Sequence, residues 1–186
     1  MNFLKLVIAI LLASGLFACS STQKTEGQGM VSVVAQNVVR IAGAEAMEDL
    51  DLSAVQDRRI YVDVTGFADA FSAGYIENLV RNKAEVSGGK LVTEANANLI
   101  LEVAVNAAGN DVGVSSYVVG GSSRSEGTVD LTVTVRDSSS GDRLTRQQVV
   151  GYAKYQQGTF LGISGSGAYF VLKGDDWEIV DDPSYY

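Results

Sequence analysis

Apolar side chains recur along this chain in two distinct rhythms. From Met30 onward Val31, Val34, Val38, Ile41 and Ala42 fall three or four apart, which predicts an amphipathic helix running to about residue 48. Ile60, Val62 and Val64 then alternate with Tyr61, Asp63 and Thr65, the period of a strand with one buried face, ending at Gly66. A second helical stretch follows, with Ser72 as its cap and Tyr75, Ile76, Leu79, Val80, Lys83 and Val86 along one face. Gly88 and Gly89 stop it.

Alternation returns at Leu99, Leu101, Val103 and Val105, and again at Val129, Leu131, Val133 and Val135 within 128–136. Between these two strands the glycine- and serine-rich segment 109–127 predicts a separator with room for a short edge strand at 116–119. Ser138, Ser139, Ser140, Gly141 and Asp142 make a turn cluster, and 143–156 pairs back as a hairpin. Residues 159–172 are apolar but interrupted by Gly162, Gly165 and Gly167, as in a bent strand or glycine-kinked return. Two helices followed by mainly antiparallel strands predict an α+β fold. A single domain, residues 30–186, would pack a mainly antiparallel sheet with two helices around the strand-helix-strand unit of 59–106.

The N-terminus has a different character. Lys5 precedes an apolar run at 6–12, and Leu16-Phe17-Ala18-Cys19 resembles the lipobox that lipoprotein signal peptidase cleaves before its cysteine. The apolar stretch to Ala18 would rise only about 20 Å as a helix, against roughly 30 Å of hydrocarbon, so it suits a leader better than a span. The resemblance implies a signal peptide at 1–18 and lipid on Cys19, the membrane attachment being carried by acyl chains. Ser20 stands where an aspartate would imply inner-membrane retention, so an outer-membrane anchor with a periplasmic domain is the expectation. Residues 20–29 contain no apolar side chain and predict a flexible tether. Within it Ser21 and Lys24 match Ser-x-x-Lys by spacing alone, without the partner motifs of penicillin-binding enzymes.

Charge and composition narrow the chemistry. Acidic residues number 22 against 14 basic, a net charge of −8 that becomes more negative if Lys5 leaves with a leader. Scattered cations in so acidic a chain argue against nucleic acid as a partner, and against a broad electrostatic grip on anionic headgroups. There is no histidine, and the one cysteine is the lipidation candidate, so histidine-based triads, histidine zinc sites and internal disulfides are excluded. No cofactor and no metal site is implied. Asp63 and Glu102, on neighbouring predicted strands, could form a carboxylate pair of the glycosidase kind, although alternation sends both to the polar face. Asp175, Asp176, Glu178, Asp181 and Asp182 lack the regular spacing of a calcium loop and suit a solvated tail anchored by Trp177 and Ile179. Neither Gly120-Gly121-Ser122-Ser123 nor the glycines of 162–167 match a nucleotide-binding fingerprint.

Leu50-Asp51-Leu52-Ser53, Arg58-Arg59-Ile60-Tyr61-Val62-Asp63, Gly74-Tyr75-Ile76, Ala97-Asn98-Leu99-Ile100-Leu101-Glu102 and Gly109-Asn110-Asp111 resemble a family of uncharacterised bacterial lipoproteins over about residues 43–113. In element order the chain is also similar to the α/β domain of curli-secretion-type lipoproteins and to the N-terminal domain of the periplasmic translocation protein TolB, a likeness that implies envelope assembly. No site residue comes with either resemblance. Three classes of function follow: a non-enzymatic adaptor that docks an envelope protein through an edge strand or through Trp177, Tyr185 and Tyr186; a carrier or sensor with an apolar pocket for a lipid, peptide or glycan fragment; and a carboxylate-dependent hydrolase.

Overall fold

Val38, Ile41, Ala42 and Ala46 are fully buried along one side of helix α1 (Val33–Glu48), as their spacing predicts. The computed structural model describes residues 21–25, 33–66, 70–117, 120–160 and 163–183. Strands β1 (Ser21–Thr25), β2 (Arg59–Gly66), β3 (Lys90–Leu91), β4 (Leu99–Tyr117), β5 (Gly120–Asp137), β6 (Arg143–Phe160), β7 (Ile163–Ser164), β8 (Ala168–Lys173) and β9 (Asp176–Val180) join in one sheet. Its order is β3-β2-β4-β5-β6-β8-β9, with β1 added to β4 and β7 to β6. Helix α2 (Ala70–Val86) connects β2 to the strands beyond it, and β2 lies parallel to both β3 and β4. All other pairs are antiparallel, so the molecule is the α+β sheet-and-helix domain that the sequence predicts.

The core lies between α1, α2 and the inner face of this sheet, reaching Ala153, Val171 and Val180. Ile60 and Val62 of β2, Leu99 to Val105 of β4 and Val129 to Val135 of β5 send alternate side chains into it, joined by Ile76, Val80 and Ala84 of α2. Val86, assigned by spacing to the same face of α2, is instead 87% exposed, because the helix ends there and the chain turns at Gly88. Ser72 lies inside the first turn of α2 rather than at its cap, since the helix begins at Ala70.

Two glycines let α1 reach the sheet. A Cβ on Gly151 would lie 1.9 Å from the Ala42 carbonyl oxygen, and one on Gly127 would lie 2.5 Å from the Val38 carbonyl oxygen. Both obstacles are helix backbone, which cannot rotate aside. Gly66 plays a separate part at the end of β2: its φ is +121°, and a Cβ there would sit 2.4 Å from the Val105 oxygen.

Three sequence expectations need correction. Residues 109–117 and 120–127 are not a separator, for they continue β4 and β5 as an antiparallel pair. Glycine and serine weaken a strand intrinsically, yet here both strands are paired along their length and the ladder's backbone hydrogen bonds hold them. Residues 21–25, expected within a flexible tether, form β1 against residues 112–116 of β4. There β2 has already ended, leaving β4 with an open edge whose backbone donors and acceptors a further strand satisfies. Third, β6 extends to Phe160, and β7 folds back onto its end. Cys19, Tyr185 and Tyr186 lie outside the described residues.

At about 1.5 Å per residue α1 covers roughly 24 Å, whereas β4 at about 3.3 Å per residue runs roughly 60 Å. The distal end of the β4-β5-β6 ribbon, beyond the contacts of α1 with Gly127 and Gly151, therefore projects past the helices. Gly151→Ala is expected to lower stability by about 2–3 kcal/mol in urea unfolding through overpacking against α1, and Gly127→Ala to act likewise. Gly158→Ala should change little, because a Cβ there meets open space.

Candidate interaction surface

The β8-β9 hairpin has two unlike faces. Alternation in β8 turns Tyr169, Val171 and Lys173 toward α1, and the pairing of Tyr169 with Val180 adds buried Val180 to that side. The Tyr169 ring lies 4.9 Å from that of Tyr155, tilted by 51°, and its hydroxyl accepts a hydrogen bond of 3.1 Å from Asn37 Nδ2 on α1. Lys173 Nζ lies 2.8 Å from Glu48 Oε2 and 3.5 Å from Glu45 Oε2, again on α1. Burial raises the Glu45 carboxyl above its ordinary value against the opposing pull of Lys173, while hydrogen bonding to Glu48 raises the Lys173 ammonium. The hairpin is thus seated on α1 by one hydrogen bond and one branched ion pair, and on β6 by one aromatic contact.

The opposite face carries Phe170, Leu172, Trp177 and Ile179, with Leu172 opposite Trp177 and Phe170 opposite Ile179 in register. Trp177 is 39% exposed and Ile179 65%. Lys154 of β6 holds its Nζ 3.9 Å above the Trp177 ring and 5.2 Å from that of Phe170, a cation–π arrangement that fixes the indole plane. Desolvation, followed by the nearby charge of Arg124, lowers the Lys154 ammonium below its ordinary value. At the end of the sheet path β9 leaves its outer edge unpaired among the described residues. The expectation that Trp177 and Ile179 anchor the tail is therefore corrected: Val180 is the buried anchor, because β9 alternates and places those two on the outward side. Lys154, Phe170 and Leu172 were missed by the sequence reading. Their signal was the apolar character of both alternating sets in 168–172, which leaves one set without a core.

Asp63 and Glu102 lie side by side, as their strands predict, directly opposite in the β2-β4 ladder. They share a polar concavity with Thr132, Thr134, Arg136, Arg143 and Arg146. Glu102 Oε2 accepts a hydrogen bond of 2.6 Å from Arg136 Nε, and Arg136 also donates to the Gly141 carbonyl. A carboxylate held by an arginine beside an exposed neighbour suits a surface ion-pair network better than an acid–base pair. Of the acidic residues considered for calcium, Asp176 and Glu178 lie on one side of β9, and among the described residues no three acids are placed to hold a metal. Gly120 to Ser123 are built into the start of β5, where Ser122 Oγ lies 2.7 Å from Ser115 Oγ across the ladder, so their backbone is engaged in the sheet.

No protein-family model matches this chain, and no curated protein matches it in sequence. Among solved structures, the PelC dodecamer from Paraburkholderia phytofirmans aligns over 78% of this chain and 82% of that chain, at 16% identity and a TM-score of 0.33.

The seating of the hairpin gives a pH-dependent expectation. A carboxyl whose folded value is raised contributes favourably below its unfolded value and loses that contribution as pH rises through the folded value. Lys173 stays charged throughout the acidic and neutral range, so Glu45 supplies the slope. Relative to the native chain, Glu45→Gln should gain thermal stability between pH 4 and pH 7; a melting-temperature difference flat across that interval would contradict the buried-carboxyl assignment.

Proposed function

We propose that this chain is a lipid-anchored protein of the bacterial envelope, with residues 1–18 as its leader, Cys19 acylated, and an outer-membrane attachment facing the periplasm. In this reading it acts as a non-enzymatic adaptor or assembly factor whose partner is another envelope protein. The anchor part rests on the lipobox-like Leu16-Phe17-Ala18-Cys19. The adaptor part rests on one observation, the outward face of the β8-β9 hairpin. There an exposed tryptophan, held flat by Lys154, and exposed Ile179 stand beside the free edge of β9. Aromatic anchors on a rigid strand, next to unpaired backbone groups, are the elements of recognition by strand addition. Asp175, Asp176, Glu178, Asp181 and Asp182 surround that edge in sequence, so a partner strand flanked by lysine or arginine would complement it. Tyr185 and Tyr186 follow closely in sequence and count among the partner-binding residues in this proposal.

Metabolic labelling with palmitate tests the anchor: the native chain should take up label and Cys19→Ser should not. For the adaptor role, a photo-crosslinker replacing Ile179 in intact cells should trap one discrete envelope protein. The adduct should fall at least several-fold on Trp177→Ala, a variant expected to melt as the native chain does because Trp177 lies outside the core. A crosslinker at Leu144, exposed at the other end of β6, should trap none. Equal trapping at both positions, or trapping insensitive to Trp177→Ala, would sink the role assigned to the hairpin.

A further inference from the structure

The ribbon beyond the helices ends in a surface unlike the rest of the molecule. No Asp, Glu, Lys or Arg occurs at 112–123 or at 155–172, although such residues make up 19% of the chain. Phe160 and Ile163 face each other across the β6-β7 pair and are 66% and 75% exposed. They flank a shallow apolar concavity with Gly121, Gly158 and Gly165. Just inward stand the charges of Asp111, Arg124, Glu126 and Lys154, with Arg124 paired to Glu126, and Lys24 of β1 is in register with Gly113 in the row of Arg124. At the opposite end of the sheet lie Arg58 and Arg59 at the start of β2, Lys90 of β3, and Asp142 and Arg143 at the start of β6. The sheet is therefore polarised along its strands, charged at one end and uncharged at the other.

The register shows what faces the uncharged end. One cross-strand row runs Ser21, Ser116, Gly121, Thr159, Ser164 through β1, β4, β5, β6 and β7. The next row outward contains Tyr117, Gly120, Phe160 and Ile163. Because β1 is antiparallel to β4, the chain preceding Ser21 leaves the sheet at this end. Cys19 is only two residues away, a reach of about 7 Å.

We propose that the uncharged ribbon end, displaying Phe160 and Ile163, lies in the headgroup region of the bilayer that holds the acyl chains of Cys19. The inference rests on the lipid-anchor reading of the N-terminus and adds to it a second, protein-borne contact. The β1-β4 register ties the anchor to this end, and two exposed apolar side chains with no charge beside them lose no hydration of ionic groups on entering the interface. The long strands then stand away from the membrane, carrying the α1-α2 core and the β8-β9 hairpin outward.

The test uses the full-length acylated protein in vesicles of phosphatidylethanolamine and phosphatidylglycerol. Ile163→Cys and, separately, Leu144→Cys are labelled with an environment-sensitive fluorophore, Cys19 being blocked by its lipid. Both proteins should float with the vesicles. The label at 163 should emit blue-shifted and be quenched several-fold more than that at 144 by lipids carrying a shallow spin label; Phe160→Cys should repeat the result. Flotation with water-like, unquenched emission at 163 and 160 would overturn the proposal while leaving the anchor intact. A blue shift without quenching by lipid would also overturn it, placing a second copy of the chain on this surface instead. Loss of flotation would overturn the anchor and the proposal together.

Discussion

The contact on which the rest of this structure depends is the approach of helix α1 to Gly127 and Gly151. The Val38 and Ala42 carbonyl oxygens stand where a side chain's first carbon would otherwise be, so the helix rests on bare strand backbone. At that depth Val38, Ile41, Ala42 and Ala46 reach the sheet's inner face and close the core. The other flank of α1 is equally tight: a Cβ on Gly43 would lie 2.9 Å from Leu79 Cδ1 and 3.1 Å from Tyr75 Cε1, and the Tyr75 hydroxyl donates to the Arg40 carbonyl at 3.0 Å. Glycine thus sets the spacing of α1 to both of its neighbours. Close packing leaves no slack to absorb an added methyl group, which makes the spacing strict.

From that seat the position of the β8-β9 hairpin follows. Asn37, Glu45 and Glu48 project from α1 to meet Tyr169 and Lys173, and Val171 and Val180 complete the contact. Once the inner set of side chains is committed to the helix, the period of two obliges Phe170, Leu172, Trp177 and Ile179 to face outward. Their exposure is a consequence of good packing on the other side. Lys154, reaching over Trp177 and Phe170, supplies the polar cover that a row of apolar side chains in water requires.

The same sheet obeys different rules along the length of its strands. Beneath the helices its identity comes from apolar burial. Beyond them it is held by strand pairing, with small and hydroxylated residues such as Ser115 and Ser122 bonded across the ladder. That division sets the hairpin packed on α1 apart from a projecting end of the sheet that the N-terminal strand joins, and it gives the molecule a direction.

Both helices, the strand-helix-strand unit and the inward residues of β2, proximal β4 and proximal β5 were determined by the sequence itself, because each has one dry face and one wet face and so writes its period into the chain. The polar placement of Asp63 and Glu102 was legible for the same reason. Where that contrast fails, only tertiary structure decided. A bulge between Val105 and Ala107 leaves Asn106 unpaired and shifts the inward set from odd to even positions, which erased the alternation that would have revealed the rest of β4. The pairing of β1 with residues 112–116 depends on an edge vacated by β2, a fact about a neighbour some fifty residues away in sequence. The outward turn of Trp177 was likewise hidden, since an aromatic residue beside Ile179 and Val180 looks equally suited to a core; the side on which Lys173 found its glutamates settled which of them was buried. Local periodicity reports a face that water and the core treat differently, whereas strand pairing and edge position are set by partners that only the folded chain brings together.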